Sequence, residues 1–181
     1  MTNARVAVLP YDPDWPQRFE AERARLEPVL GPWVTDGIQH VGSTAIPGIA
    51  AKPIIDIVAG IRDLEESRAA FEPLRKLSYV YTPHRPDIAH HFTKPSPQTA
   101  QYGLHLTEAG SDLWRERLAF RNALLNDASL AAEYERLTLK LAEEHADDLA
   151  AYTGGKQAFV ARVLAGVGEM ALESRSGAQA L

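Results

Sequence analysis

The sequence predicts an α+β fold: a small mixed or antiparallel sheet, with an N-terminal helix ahead of it and a C-terminal helical bundle behind it. Three observations lead there. Apolar residues near the N-terminus recur at helical spacing, with Trp15, Phe19, Leu26 and Val29 or Leu30 on one stripe. Between residues 38 and 107 the apolar runs are short, β-branched and punctuated by Gly and Pro. From Ser111 onward the pattern turns helical again.

The first helix is predicted over 13–30. Pro13 and Pro16 suit its first turn, where a missing N–H costs little, and Gly31-Pro32 stops it. Asp36-Gly37 is a turn signal ahead of a short strand over 38–41, which Gly42-Ser43-Thr44 breaks. Pro47-Gly48 marks a second turn. The run over 54–61 holds Ile54, Ile55, Ile57, Val58 and Ile61 and reads as a buried central strand. Composition predicts a helix over 64–77, a strand start at 79–81 and a proline-bounded loop over 82–87. Strands over 89–94 and 102–107 follow, joined by a hairpin connection at Pro95-Ser96-Pro97-Gln98. Ser111 is the expected cap of a helix carrying Trp114, Leu118 and Leu125, and Ser129 of another carrying Leu130, Tyr134, Leu137 and Leu141. Gly154-Gly155 separates a third, with Phe159, Val160, Val163, Leu164 and Val167.

With 181 residues, the chain is expected to form one domain over 1–172 and a flexible polar tail over 173–181. Hydrophobic residues make up 45% and charged residues 24%, a balance that excludes a disordered chain. The net charge of −5 argues against strong nucleic-acid binding, which needs surplus cations to displace counterions. Cys is absent, so disulfides, thiolate metal sites and cysteine nucleophiles are excluded. No run resembles a signal peptide or approaches the ~18 apolar residues of a membrane span, so the expected location is cytoplasmic. Oligomeric state is not legible.

The densest chemistry lies between His40 and Asp56. A strand runs into Gly42-Ser43-Thr44, where a glycine admits a ligand close to the backbone and hydroxyls can cradle an anion. Lys52 adds a positive charge. The spacing is not that of a P-loop, and a tight strand–turn with a bonded hydroxyl fits the fragment equally. Asp56 sits inside an apolar β-run, where a carboxylate is costly unless paired, hydrogen-bonded or bound to a metal. It is either the partner of Lys52 or an arginine, or else a metal ligand or general base. Histidines lie at His40, His90, His91 and His105, without the i,i+4 spacing of zinc hydrolases. Each reads as a satisfied strand residue or as a member of a site completed across strands with Asp56. Arg85, His91 and Lys94 are solvated charges near a loop or part of an anion site, and Lys156, after Gly154-Gly155, is a helix-boundary lysine or a phosphate ligand.

Several blocks, in order, resemble the GrpB family: Tyr11-Asp12-Pro13-Asp14-Trp15-Pro16, His40 through Gly48, Ala51 through Ile57, Leu104-His105-Leu106, Phe120-Arg121 and Ala151-Tyr152-Thr153 with Lys156. The resemblance spans residues 8–167 and implies a fold like that of the polymerase-β-like nucleotidyltransferases. In that superfamily Gly-Ser follows a first strand, an acidic-x-acidic pair lies on the next and a third carboxylate on a later one. Gly42-Ser43 and Asp56 match, Val58 stands where the second carboxylate is expected, and His105 lies on the strand of the third. The resemblance thus implies a metal-dependent nucleotidyltransferase-like protein acting on a nucleotide or phosphate-containing small molecule. Ser43, Asp56 and His105 would be its catalytic residues. Gly42, Ser43, Thr44, Lys52, Arg85 and Lys156 would hold phosphate, and Asp56 and His105, with His91 or His40, a divalent metal, Mg or Mn. The nucleotide would be co-substrate. Two alternatives remain: a non-catalytic nucleotide- or coenzyme-binding module, favoured by Val58, and a single-metal Asp/His enzyme.

Overall fold

A computed structural model describes residues 6–178. Five strands form one mixed sheet: β1 (Val34–Val41), β2 (Ile55–Ile61), β3 (Val80–Tyr81), β4 (Ala89–Lys94) and β5 (Tyr102–Glu108), in the order β1-β2-β5-β4-β3. Only β2 and β5 run parallel; the other neighbours are antiparallel. Helix α1 (Trp15–Leu30) precedes the sheet and the short α2 (Phe71–Lys76) lies between β2 and β3. The C-terminal helices are α3 (Asp112–Asn126), α4 (Ala128–Glu144), α5 (Leu149–Gly154) and α6 (Gln157–Ala178). The mixed α+β architecture is the expected one.

Alternation along β2 divides the molecule. Ile55, Ile57, Ala59 and Ile61 point to the face covered by α1, where Trp15, Phe19, Leu26 and Leu30 complete the main core with Leu104, Leu106 and Phe92. Asp56 and Val58 point to the opposite face, where Val58 and Val41 meet Trp114 of α3. Helices α3, α4 and α6 then pack on one another and on Ile46 and Ile49 of the segment after β1. The candidate site lies between this bundle and the second face.

Four local expectations are corrected. The Asp36-Gly37 turn signal lies inside β1, as a register irregularity between Val34 and Ile38 with Gly37 at φ +85°, so the strand begins earlier. The helix expected over 64–77 is a 3-10 segment, Glu66–Ala70, followed by α2. Restarting at Phe71 puts Pro73 in a first turn, where its ring does not meet the carbonyl of Ala69. Asp127, not Ser129, caps α4, accepting from Ser129 N at 2.9 Å and Leu130 N at 3.0 Å. In α3 the buried residue is Leu124, and Leu125 is exposed. The bundle also gains α5, capped by Asp148, and the expected tail boundary at 173 falls within α6. Residues 179–181 of that tail lie outside the described residues.

The core also holds an ion pair with no counterpart in the hydrophobic pattern. Glu22, on the buried face of α1, is 2% exposed. One of its carboxylate oxygens accepts from Lys94 Nζ at 2.7 Å and from Tyr79 OH at 3.0 Å. The ammonium of Lys94 also lies 5.2 Å and 5.5 Å from the Tyr79 and Tyr102 ring centroids, so Lys94 is not a solvated loop charge. Removing one partner strands the other inside the protein. Glu22→Ala is expected to cost about 3–5 kcal/mol, read as a lower urea midpoint at unchanged slope.

Candidate functional site

Asp56 is held between two glycines. Gly42, at the end of β1, has φ +73°, a conformation that favours glycine, and a Cβ there would lie 2.6 Å from Asp56 Oδ2. Gly103, paired with Asp56 in the β2–β5 register, is the second: a Cβ there would lie 3.0 Å from Asp56 Oδ1. The carboxylate therefore occupies space that any side chain at 42 or 103 would contest.

What acts on this carboxylate is charge at longer reach. Burial pushes its pKa up, and the cations of Arg117, Lys156 and Lys52 pull it down, in that order. No side chain among the described residues is found hydrogen-bonded to it. Lys52 reaches it from the segment before β2 and Arg117 from α3. Lys156 stands between α5 and α6, where its Nζ donates to Tyr152 OH at 2.7 Å and lies 4.2 Å from that ring's centroid. Burial lowers the Lys156 ammonium to about 8, with Lys52 adding to the effect and Asp56 opposing it. Burial pushes the pKa of Tyr134 on α4 up, and Ser43 of the Gly-Ser turn is near enough to oppose that rise.

Two histidines share this face. His91 and His105 are paired across β4 and β5, with ring centroids 4.4 Å apart. Burial, the largest effect on both, lowers their pKa values, and the Arg117 charge adds to it. His91 Nε2 lies 3.8 Å from the point above Gly103 that is 3.0 Å from Asp56 Oδ1. His105 is hydrogen-bonded to the backbone at Ile57.

The structure thus gathers Gly42, Ser43, Lys52, Asp56, His91, His105 and Lys156, and leaves out three expected members. His40 pairs with Ile57 and so faces α1, stacked on Phe19 at 4.8 Å. Its Nε2 is 2.9 Å from Thr44 Oγ1, and burial, then Arg121, lowers its pKa to about 4, so it is neutral at neutral pH. Thr44 is buried, and its hydroxyl donates to the Ile54 carbonyl at 3.1 Å; it braces the turn rather than facing a ligand. Arg85 lines a recess with Asp87, Glu108 and Glu116 where β5 ends, the end of the parallel pair away from Asp56.

Arg117 and Gly103 are the members that sequence reasoning did not single out. A signal for Arg117 exists: it is one turn before Arg121 and three residues after Trp114, so it leaves α3 near the stripe that both share, although the residue itself is exposed. Arg121 itself donates to the His40 carbonyl and to Gln39 Oε1, both at 3.0 Å, and fixes the end of β1 just before Gly42.

Comparison with known proteins places this architecture. A family model described as GrpB protein matches residues 5–165. The chain is 33% identical over 169 residues to the glutamate-rich protein GrpB of Alkalihalophilus pseudofirmus, covering 91% of this chain and 97% of that one. It is 38% identical over 150 residues to a UPF0157 protein of Deinococcus radiodurans, covering 83% of this chain and 76% of the relative. The crystal structure of the conserved protein GrpB from Enterococcus faecalis superposes with a TM-score of 0.83 at 26% identity, over 92% of this chain and 99% of that one.

Because its folded-state pKa is raised, Asp56 binds protons more readily folded than unfolded. Stability therefore falls as pH rises through the window that starts near the ordinary value of 3.8, and the penalty stands in full above the folded pKa. Asp56→Asn is expected to raise ligand-free stability at pH 7 by about 1 kcal/mol, with the gain vanishing at the acid end; thermal unfolding across pH checks this.

Proposed function

The chain belongs to the GrpB protein family, and from that premise we propose that its Asp56 site binds a phosphate-bearing small molecule, a nucleotide or a coenzyme. The observation that carries this reading is the set of charges acting at one place. Three cations from three separate segments, Lys52, Arg117 and Lys156, act on one carboxylate, beside the Gly42 turn and Ser43. Such an array suits an anion with several oxygens, because charge-assisted hydrogen bonds to phosphate are stronger than neutral ones. Arg117 can engage two oxygens at once, and the two lysines act as point charges.

The donor set fits a resident Mg²⁺ or Mn²⁺ poorly. These ions take oxygen ligands in octahedral geometry, usually with two or more carboxylates where two metals work together. Here Val58 occupies the second carboxylate position, and among the described residues no group of three His, Asp or Glu side chains is placed to hold an ion. The reading is therefore of a phosphate-binding module. A second reading, nucleotidyl transfer, is favoured by the Asp56 carboxylate itself, to which no side chain among the described residues is hydrogen-bonded. It would serve as the protein ligand of a metal brought in by the nucleotide, which would then neutralise charge on the phosphates.

Calorimetric titration with ATP, GTP, CTP, UTP and coenzyme A, each with Mg²⁺ and with chelator, tests the two. Binding that persists in chelator and weakens about tenfold in Arg117→Gln or Lys156→Gln supports the module. Binding that requires the metal and is lost in Asp56→Asn supports transfer, and absence of binding by every ligand contradicts both.

Lys156 also sets a pH dependence. Its ammonium, lowered to about 8, must be charged to hold phosphate, so affinity is expected to fall as pH rises through 8. Lys156→Arg is expected to flatten that fall, and the same calorimetry at pH 7 and 9 reads it.

A further inference from the structure

The tautomer of His91 follows from what its other nitrogen touches. Nδ1 lies 3.2 Å from the Thr82 carbonyl oxygen and 2.9 Å from Thr82 Oγ1. The hydroxyl can donate or accept, whereas the carbonyl can only accept, so the carbonyl contact favours hydrogen on Nδ1. In the neutral ring Nε2 is then a bare acceptor. It flanks Gly103 together with Asp56 Oδ1: measured from the position a Cβ would take there, the two atoms lie 3.8 Å and 3.0 Å away. With no side chain at 103, nothing from that residue stands between them. Two acceptors thus converge with no donor between them among the described residues, beside a cationic array suited to phosphate.

Converging acceptors call for a ligand group that donates. We infer that Asp56 Oδ1 and His91 Nε2 form a subsite for a hydroxyl or amine carried close to the ligand's phosphate, so that the site selects phosphate monoesters bearing a hydrogen-bond donor over those that end in a methyl group. The inference rests on the phosphate reading of the Lys52, Arg117 and Lys156 array and adds the chemistry of the neighbouring group. Its physical basis is the penalty for burying a polar group unpaired: an apolar end at this point leaves both acceptors desolvated without a partner, whereas a donor satisfies them. Thr82 is the positioning residue, since its carbonyl holds the hydrogen on Nδ1.

The test uses three small phosphate esters as probes, titrated calorimetrically in chelator: ethyl phosphate, 2-hydroxyethyl phosphate and 2-aminoethyl phosphate. In the unmodified protein, both donor-bearing esters are expected to bind at least fivefold tighter than ethyl phosphate. His91→Phe and Asp56→Asn separate the acceptors. His91→Phe keeps an aromatic ring over Gly103, and His91→Asn keeps a donor near Thr82 but lacks the Nε2 lone pair. Both His91 variants are expected to reduce the preference of the donor-bearing esters over ethyl phosphate. Equal affinity for the three esters, or a preference that survives in both His91 variants, overturns the subsite and leaves the phosphate reading standing. Binding of none of the three, with ATP and coenzyme A also silent, overturns the phosphate reading itself. Should His91→Phe fail to fold, the His91→Asn result and the three-ester comparison in the unmodified protein decide the question. A long-range ¹H–¹⁵N spectrum gives a reading free of ligand: hydrogen on Nδ1 and a bare Nε2 are expected, and the opposite tautomer contradicts the geometry.

Discussion

A carboxylate wedged between two glycines organises this molecule's second sheet face. Asp56 meets space at Gly42 and Gly103 that no other residue would leave free, and it meets three cations without a direct hydrogen bond from any described side chain. A half-buried carboxylate in that state costs stability. The positive φ of Gly42 and the Arg121 clamp on the end of β1 hold the backbone beside Asp56.

The opposite face supplies what this site gives up. The odd-numbered residues of β2, fully buried against α1, form a continuous apolar core with β4 and β5. Even the ion pair there is completed: Glu22 meets both Lys94 and Tyr79, and Lys94 is further covered by two tyrosine rings. One sheet therefore carries two electrostatic regimes. On the α1 side charge is paired and enclosed; on the α3 side it is gathered without direct pairing. The strand's alternation of side chains is what allows both within a few residues of β2.

Much of this was legible in the sequence where local chemistry was unusual. Asp56 stands out because a carboxylate interrupts an isoleucine-rich strand, and Gly42-Ser43 because a strand ends abruptly on small residues. Lys156 stands out less, as a lysine at a glycine-marked helix boundary. The partners that come from afar were not legible. Arg117 lies on an exposed-looking helix whose charges resemble any solvated face, and Glu22 sits among seven other charged residues of α1 and its flanks, from Asp12 to Glu27. His40 misleads for the same reason: its neighbours in sequence are the site, yet strand alternation turns its ring to the α1 core, where Phe19 and Thr44 hold it. Arg85 is separated by the length of the sheet, which only the pairing of β2 with β5 reveals. Local slips in the helices, at Ser129 and Leu125, come from single-residue choices of cap and phase that Asp127 and Leu124 win.

The state of the Asp56 carboxyl is the hinge of the account. Its side-chain carbon, followed by ¹³C NMR across pH and assigned with the Asp56→Asn variant, reports the titration directly. The account requires a midpoint above the ordinary 3.8, moving higher still in Arg117→Gln, because that cation is the largest of the charges holding it down. A midpoint at or below 3.8, or one indifferent to Arg117, would show a carboxylate already satisfied within the protein, and the site would lose its reason to bind an anion beside it.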